Sequence, residues 1–128
     1  MAVIDVSAAI LEKDGQVLIC KRAGSGEGAR LWEFPGGKRE AGETPAACLA
    51  RECAEELGIE VAPEGLLAEV DWPGNAPRYH FSFFTATILS GEAEAREHEE
   101  IRWVAKETLH EYSFCPADAS ILKKVIQR

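Results

Sequence analysis

The chain has 128 residues, 46% of them apolar, and a formal net charge of −8 at pH 7. That length suits one domain over residues 1–128 built around a single core, and no apolar run approaches the ~20 residues that cross a bilayer. The acidic balance excludes a surface made to grip a nucleic-acid polymer, although an acidic protein can hold a polyphosphate when divalent cations bridge the two. The start, Met1-Ala2-Val3-Ile4-Asp5, has neither a basic leader nor a cleavage site, so the expected address is the cytoplasm.

Residues 3–11 and 16–21 read as strands, joined by a turn whose Asp14-Gly15 pair is a strong hairpin signal. Residues 23–30 hold Gly24, Gly26 and Gly28 without apolar periodicity, which predicts a mobile surface loop. Trp32-Glu33-Phe34 is a short extended piece that Pro35-Gly36-Gly37 should stop. Thr44 followed by Pro45 starts a helix, with a hydroxyl N-cap and proline at the first helical position. It should run to Leu57 and end at Gly58. Further strands are expected over 59–61, 66–72, 79–89 and 101–104. A last helix from near Pro116 puts Ile121, Leu122, Val125 and Ile126 on one side. Strands with one central and one terminal helix predict a mixed α/β sandwich. Cys20, Cys48, Cys53 and Cys115 have neither C-x-x-C nor zinc spacing, so they are expected as reduced, largely buried thiols.

The informative stretch is 37–59. Leu49, Cys53 and Leu57 recur every fourth residue and form the core stripe of the helix. Glu52, Glu55 and Glu56 stand at i, i+3 and i+4, so they converge on a neighbouring stripe about a third of a turn away. Their mutual repulsion costs a few tenths of a kcal/mol per pair. Glu55 and Glu56 also sit in the last helical turns, where the helix dipole disfavours anions. An acidic run is often no more than a solvated face. A hard divalent cation with oxygen ligands would instead turn the repulsion into a site.

The surrounding pattern decides between these. Gly37, Glu43, Arg51, Glu52, Glu55, Glu56, Gly58 and the apolar Ile59 match the Nudix box, with Cys53 a smaller substitute at its inner apolar position. The chain resembles the Nudix superfamily, and Leu31-Trp32-Glu33-Phe34-Pro35-Gly36-Gly37-Lys38 with Gly42-Glu43-Thr44-Pro45 resembles its MutT branch. The resemblance implies an α/β/α sandwich with a mixed β-sheet, a box folded as loop–helix–loop and a C-terminal helix. It also implies a hydrolase that uses Mg²⁺, or Mn²⁺, to split a nucleoside triphosphate into monophosphate and pyrophosphate. Glu52, Glu55, Glu56, the Gly36 carbonyl and Glu97 would hold the metal. Glu52 is the first choice for general base and Glu97 the second. Arg51 would orient the carboxylates, Glu43 would fix the loop, and Arg22 and Lys38 would meet phosphate.

In the MutT branch an Asn at the start of the last helix reads 8-oxoguanine, and here Asp118 stands there, inside Cys115-Pro116-Ala117-Asp118. That form resembles a MutT relative preferring cytosine nucleotides, often modified at C5. An ionised Asp only accepts hydrogen bonds. Both the N4 amino group of cytosine and the N7–H of 8-oxoguanine offer it a donor, whereas ordinary guanine presents an acceptor at that edge. Asp118 could also be no more than a stabilising anion in the first turn. Tyr79, His80 and Phe81 lie on a strand that could reach the base, although strand aromatics more often belong to the core, as Trp32 and Phe34 should.

The expected function is sanitation of the nucleotide pool, a DNA-repair task, with 8-oxo-dGTP ahead of CTP, dCTP or 5-modified dCTP. A non-catalytic nucleotide-binding regulator is the alternative from another class. Such domains commonly lose box carboxylates, and here all are kept. Hydrolases of dinucleoside polyphosphates or nucleotide sugars usually carry added elements that so compact a chain lacks. No membrane or nucleic-acid partner is expected, and monomer and dimer remain open.

Overall fold

The computed structural model describes residues 3–26, 28–72 and 78–128. Met1 and Ala2, on which the expectation about a leader rests in part, lie outside them, as does Glu27 of the predicted loop. The strands are β1 (Val3–Lys13), β2 (Gln16–Lys21), β3 (Trp32–Glu33), β4 (Gly36–Lys38), β5 (Glu60–Trp72), β6 (Arg78–Ser90) and β7 (Glu100–Ala105). The helices are α1 (Pro45–Leu57), α2 (Pro116–Ala119) and α3 (Leu122–Ile126), with a 3₁₀ segment at Lys106–Glu111.

The β1–β2 hairpin turns on Asp14 and Gly15, both at positive φ (53° and 77°), the primed geometry that matches strand twist. β1 is the hub of the sheet: it runs parallel to β6 and antiparallel to both β2 and β4. β5 adds antiparallel to β6, while β3 and β7 flank β2 antiparallel, so the sheet is mixed.

Successive residues of β1 and β2 point to opposite faces, and both faces are apolar. Ala9, Leu11, Leu18 and Cys20 pack with Leu49, Cys53 and Leu57 of α1. Ala8, Ile10, Val17 and Ile19 pack on the other side with Leu109, Phe114, Ile121 and Val125. This is the expected α/β/α sandwich. Burying one such Leu contributes about 1.5–3 kcal/mol, several times the repulsion of an i,i+4 carboxylate pair. Packing therefore fixes α1 in spite of its clustered charge.

The termini of α1 match the sequence. Thr44 Oγ1 accepts from Ala47 N–H at 3.1 Å, Pro45 opens the helix, and Gly58 closes it at φ 70° with its N–H on the Ala54 carbonyl. Trp32 and Phe34 are buried in the core, and all four cysteines are free thiols. No helix among the described residues is long and apolar enough to cross a membrane.

Three expectations change. The strands predicted at 59–61 and 66–72 are one strand, β5, which bulges between Pro63 and Gly65 and near Leu66. As an edge strand it tolerates a proline that cannot donate to a ladder. The predicted terminal helix is broken into α2 and α3 at Ser120–Ile121, where the Ser120 hydroxyl donates back to the Ala117 carbonyl at 2.6 Å. Gly36-Gly37, expected to stop a strand, forms one. Gly36 lies so close to β1 that a Cβ would collide with the Ser7 carbonyl.

Candidate active site

Three segments meet beside β1. β4 lies on β1 and faces the carboxylate side of α1: a Cβ on Gly37 would collide with the Glu52 carboxylate, and the Gly36 N–H donates to Glu56 Oε1 at 3.4 Å. β3 carries the start of α2 through main-chain bonds, Trp32 N–H to the Ser113 carbonyl and Cys115 N–H to the Trp32 carbonyl, each 2.8 Å. That docking places Asp118 under Phe34, whose N–H donates to Asp118 Oδ2 at 2.9 Å.

Arg51 organises the box. Its Nε and Nη2 make a fork on Glu43, at 2.6 and 3.0 Å, and Nη2 also donates to the Lys38 carbonyl at 3.0 Å. Its Nη1 reaches Glu52 at 2.9 Å and Glu55 at 3.1 Å. One planar cation thereby ties the loop before α1 to two of its carboxylates. Arg51 and the Glu40 N–H hold the Glu43 carboxyl down to about 2.

The three box carboxylates are not equivalent. The Glu55 side chain is 55% exposed and that of Glu52 14% exposed, while Glu56 is buried. Burial, then the charges of Glu52 and Glu33, push the Glu56 carboxyl up to about 9. Among the described residues no three carboxylate, His or Cys side chains converge on one point, since Arg51 draws Glu52 and Glu55 toward itself. The donor set still fits a hard divalent cation. It consists of carboxylate oxygens, burial and then the neighbouring charges of Glu52 and Glu33 raise the Glu56 carboxyl, and glycine at 37 leaves Glu52 the room it occupies. Glu52, Glu55 and Glu56 are the residues that could hold one.

A cleft of about 390 Å³ runs from this cluster, lined by Gly36, Gly37, Lys38 and Glu56 and by Arg22, Glu33, Tyr79, Phe81 and Asp118. A second cavity of about 390 Å³ shares the last five and adds an apolar wall that includes Leu31, Trp72 and Pro116. The Tyr79 and Phe81 rings stack at 5.9 Å. Asp118 is 5% exposed, and burial, partly opposed by the Phe34 N–H, pushes its carboxyl up to about 7. A first-turn anion in solvent would show neither.

Of the residues singled out in the sequence, Arg22, Gly36, Lys38, Glu56, Tyr79 and Asp118 line this cleft, and Glu52, Glu55, Arg51 and Glu43 form the braced group behind it. Two fall elsewhere. His80 lies between Tyr79 and Phe81 in β6 and so points to the opposite face, bonded to Asp71 at 2.7 Å and Glu69 at 3.2 Å. Glu97 is exposed and, among the described residues, forms no hydrogen bond or ion pair; its loop does reach α1, through Arg96 N–H on the Glu56 carbonyl at 3.2 Å.

Sequence reasoning passed over Glu33 and His98. Glu33 Oε1 accepts from Arg22 at 3.1 Å, and Oε2 faces His98 Nε2 at 2.9 Å. The available signal was a single acid inside the apolar run Leu31-Trp32-Glu33-Phe34.

This mixed sheet between helical layers, with an arginine-braced carboxylate helix at the mouth of a cleft, is matched over residues 1–125 by the NUDIX domain, and the chain belongs to that family. Within it, the chain is a MutT-type hydrolase acting on phosphoanhydride bonds. It is 35% identical over 123 residues to the CTP pyrophosphohydrolase of Escherichia coli strain K12, covering 96% of this chain and 91% of that protein. To the 8-oxo-dGTP diphosphatase of Haemophilus influenzae it is 33% identical over 125 residues, covering 97% and 92%. The crystal structure of a MutT Nudix hydrolase from Burkholderia pseudomallei superposes with a TM-score of 0.84 at 30% identity, covering 98% of this chain and 99% of that one. Nudix hydrolases generally use divalent metal ions and act on nucleotides, and the acidic donor set and the cleft accord with both.

Proposed function

We propose that this chain is a Mg²⁺-dependent nucleoside triphosphate pyrophosphohydrolase, able to use Mn²⁺, that hydrolyses 8-oxo-dGTP to the monophosphate and pyrophosphate. The observation that carries the proposal is Asp118: a buried carboxylate lining the same cleft as Glu56 of the box, with one oxygen on the Phe34 N–H. In its ionised form it accepts from the N7–H that 8-oxidation creates and meets the bare N7 of normal guanine lone pair to lone pair. The nucleotide lies along the cleft, its base between Asp118 and the Tyr79–Phe81 face and its phosphates toward Arg22, Lys38 and the box.

A divalent cation held by Glu52, Glu55 and Glu56, with the Gly36 carbonyl and Glu97 as further candidate ligands, would neutralise phosphate charge and make water more acidic. Glu52 takes the proton of the attacking water as general base, Glu97 being the second candidate. Attack falls on the β-phosphorus. Arg51 keeps Glu52 and Glu55 in register, and Glu43 keeps Arg51 in place.

A second reading, cytosine nucleotides, draws on the same carboxylate, since the N4 amino group also donates, and on the likeness to a CTP pyrophosphohydrolase. Pyrophosphate release with Mg²⁺ from 8-oxo-dGTP, dGTP, CTP, dCTP, 5-methyl-dCTP and dATP tests both. A kcat/KM far higher for 8-oxo-dGTP than for dGTP supports the first, and a maximum at the cytosine nucleotides replaces it with the second. Equal values across the panel refute a sanitising role.

A further inference from the structure

Behind the cleft wall, outside the residues that the box or the base would employ, a buried imidazole holds a carboxylate that holds a guanidinium. The His98 side chain is 6% exposed, its Nε2 lies 2.9 Å from Glu33 Oε2, and Glu33 Oε1 accepts from Arg22 at 3.1 Å. His98 Nδ1 is buried and, among the described residues, has no hydrogen-bond partner. A carboxylate oxygen must receive a proton, so Nε2 carries the N–H; an N–H on Nδ1 would be buried with nothing to accept it. The ring is thus a one-directional donor aimed at Glu33.

Its loop is fastened on both sides of the ring. Glu94 N–H donates to the Leu57 carbonyl at 2.9 Å and Arg96 N–H to the Glu56 carbonyl at 3.2 Å. On the other side Glu99 N–H donates to the Lys21 carbonyl at 3.0 Å, and the Glu99 carboxylate pairs with Arg30 and Lys21. A ring delivered this firmly leaves Glu33 one orientation. Without it, the Glu33 carboxylate, whose side chain is 21% exposed, could swing away with Arg22 attached. Arg22 would then leave the wall shared by the two cavities.

We propose that His98 is a positioning residue for nucleotide binding: by donating from Nε2 to Glu33 it fixes Glu33, and through Glu33 the guanidinium of Arg22, at the cleft wall. This rests on the reading of the cleft as the nucleotide site. The test compares wild type with His98→Leu, His98→Gln (which keeps an N–H donor at the same reach), Glu33→Ala and the His98→Leu/Glu33→Ala double variant. Thermal melts accompany kinetics and product-monophosphate binding.

His98→Leu should raise KM, and the Kd of the monophosphate, by about tenfold while kcat stays within about threefold. His98→Gln should recover most of that loss. The double variant should bind no worse than Glu33→Ala, because the two residues act in series. Unchanged KM in His98→Leu, failure of His98→Gln to rescue a folded protein, or additive losses would each overturn the proposal. Imidazole ¹⁵N spectra of the wild type check it without catalysis or folding of variants: a proton on Nδ1 and a bare Nε2 would refute it. If the wild type hydrolyses and binds no nucleotide, the reading of the cleft fails instead, and the spectra still decide whether His98 donates to Glu33.

Discussion

Phe34 N–H and Asp118 Oδ2, 84 positions apart in the chain, lie 2.9 Å apart in the folded protein. The bond engages Oδ2, and Asp118 lines the cleft. Asp118→Asn keeps an oxygen for Phe34 but replaces a pure acceptor with a group that also donates. Asn, the residue that the resemblance to MutT would put here, still offers an acceptor, so discrimination of 8-oxo-dGTP from dGTP should survive in Asp118→Asn and fall by about tenfold or more in kcat/KM in Asp118→Ala, since a lost polar contact is worth about 1–3 kcal/mol. Asp118→Ala orphans the buried Phe34 N–H, and its midpoint in urea should drop by the equivalent of about 1–3 kcal/mol. An unaltered preference in Asp118→Ala would remove Asp118 from base recognition.

The same carboxyl gives a pH dependence. Burial raises it from 3.8 to about 7, so the folded state holds the proton more tightly than the unfolded chain does. Its contribution favours folding most below about pH 4 and is lost as the pH rises through about 7. The Asp118→Asn variant lacks this dependence, so its Tm relative to wild type should climb between about pH 4 and 8, measured without divalent cations. A constant difference would show that Asp118 is ionised throughout.

As a ligand in the proposed site, Glu56 would couple pH to metal. Burial, then the charges of Glu52 and Glu33, push its carboxyl up to about 9, so a cation bound there would displace a proton. Apparent Mg²⁺ affinity, read from the metal-induced rise in Tm, should therefore increase by up to about tenfold per pH unit between about 7 and 9. Chelation should abolish hydrolysis, and Glu56→Gln should flatten the profile. Affinity independent of pH in wild type would exclude a protonated Glu56 as the group the cation displaces a proton from.

Arg51 donates to Glu43, Glu52, Glu55 and the Lys38 carbonyl at once. A lysine cannot make that fork. Arg51→Lys should lower kcat by about tenfold or more, with a smaller change in KM, because it disorders the carboxylates without touching the base. A rise in KM alone would mean that Arg51 meets substrate.

The parts legible in the sequence are those fixed by neighbours in the chain. Thr44-Pro45 and Gly58 bound α1, Asp14-Gly15 makes its turn, and the spacing of Glu52, Glu55 and Glu56 places them on one stripe whatever the sheet does. The parts that were not legible depend on meetings across the fold. Residues 59–61 and 66–72 become one strand only because β6 supplies a continuous partner that absorbs the bulge at Pro63 and Gly65. Tyr79 and His80 face opposite sides of any strand, and only the pairing of β6 with β1 and β5 decides that Tyr79 is the one that meets the cleft. Glu33 and His98 are 65 residues apart and meet because β3 and the β6–β7 loop both end beside β2. The burial that lifts Asp118 and Glu56 is likewise a property of the packed cleft.

Gly37 separates the role of Glu52 from the stability of the fold. A Cβ at that position would collide with the Glu52 carboxylate, the movable end of a side chain, and Gly37 has no positive φ that a side chain would strain. Gly37→Ala should therefore fold, with Tm shifted by no more than about 4–8 °C for a cost of about 1 kcal/mol. If Glu52 is the base and a ligand, as proposed, its displacement should lower kcat by about a hundredfold, the scale of a general-base contribution. Glu52→Gln should be at least as damaged, and combining the two should add little, since both remove one group from one position. Near-normal turnover in a well-folded Gly37→Ala would mean that Glu52 works from another orientation, and the base would have to be sought at Glu97.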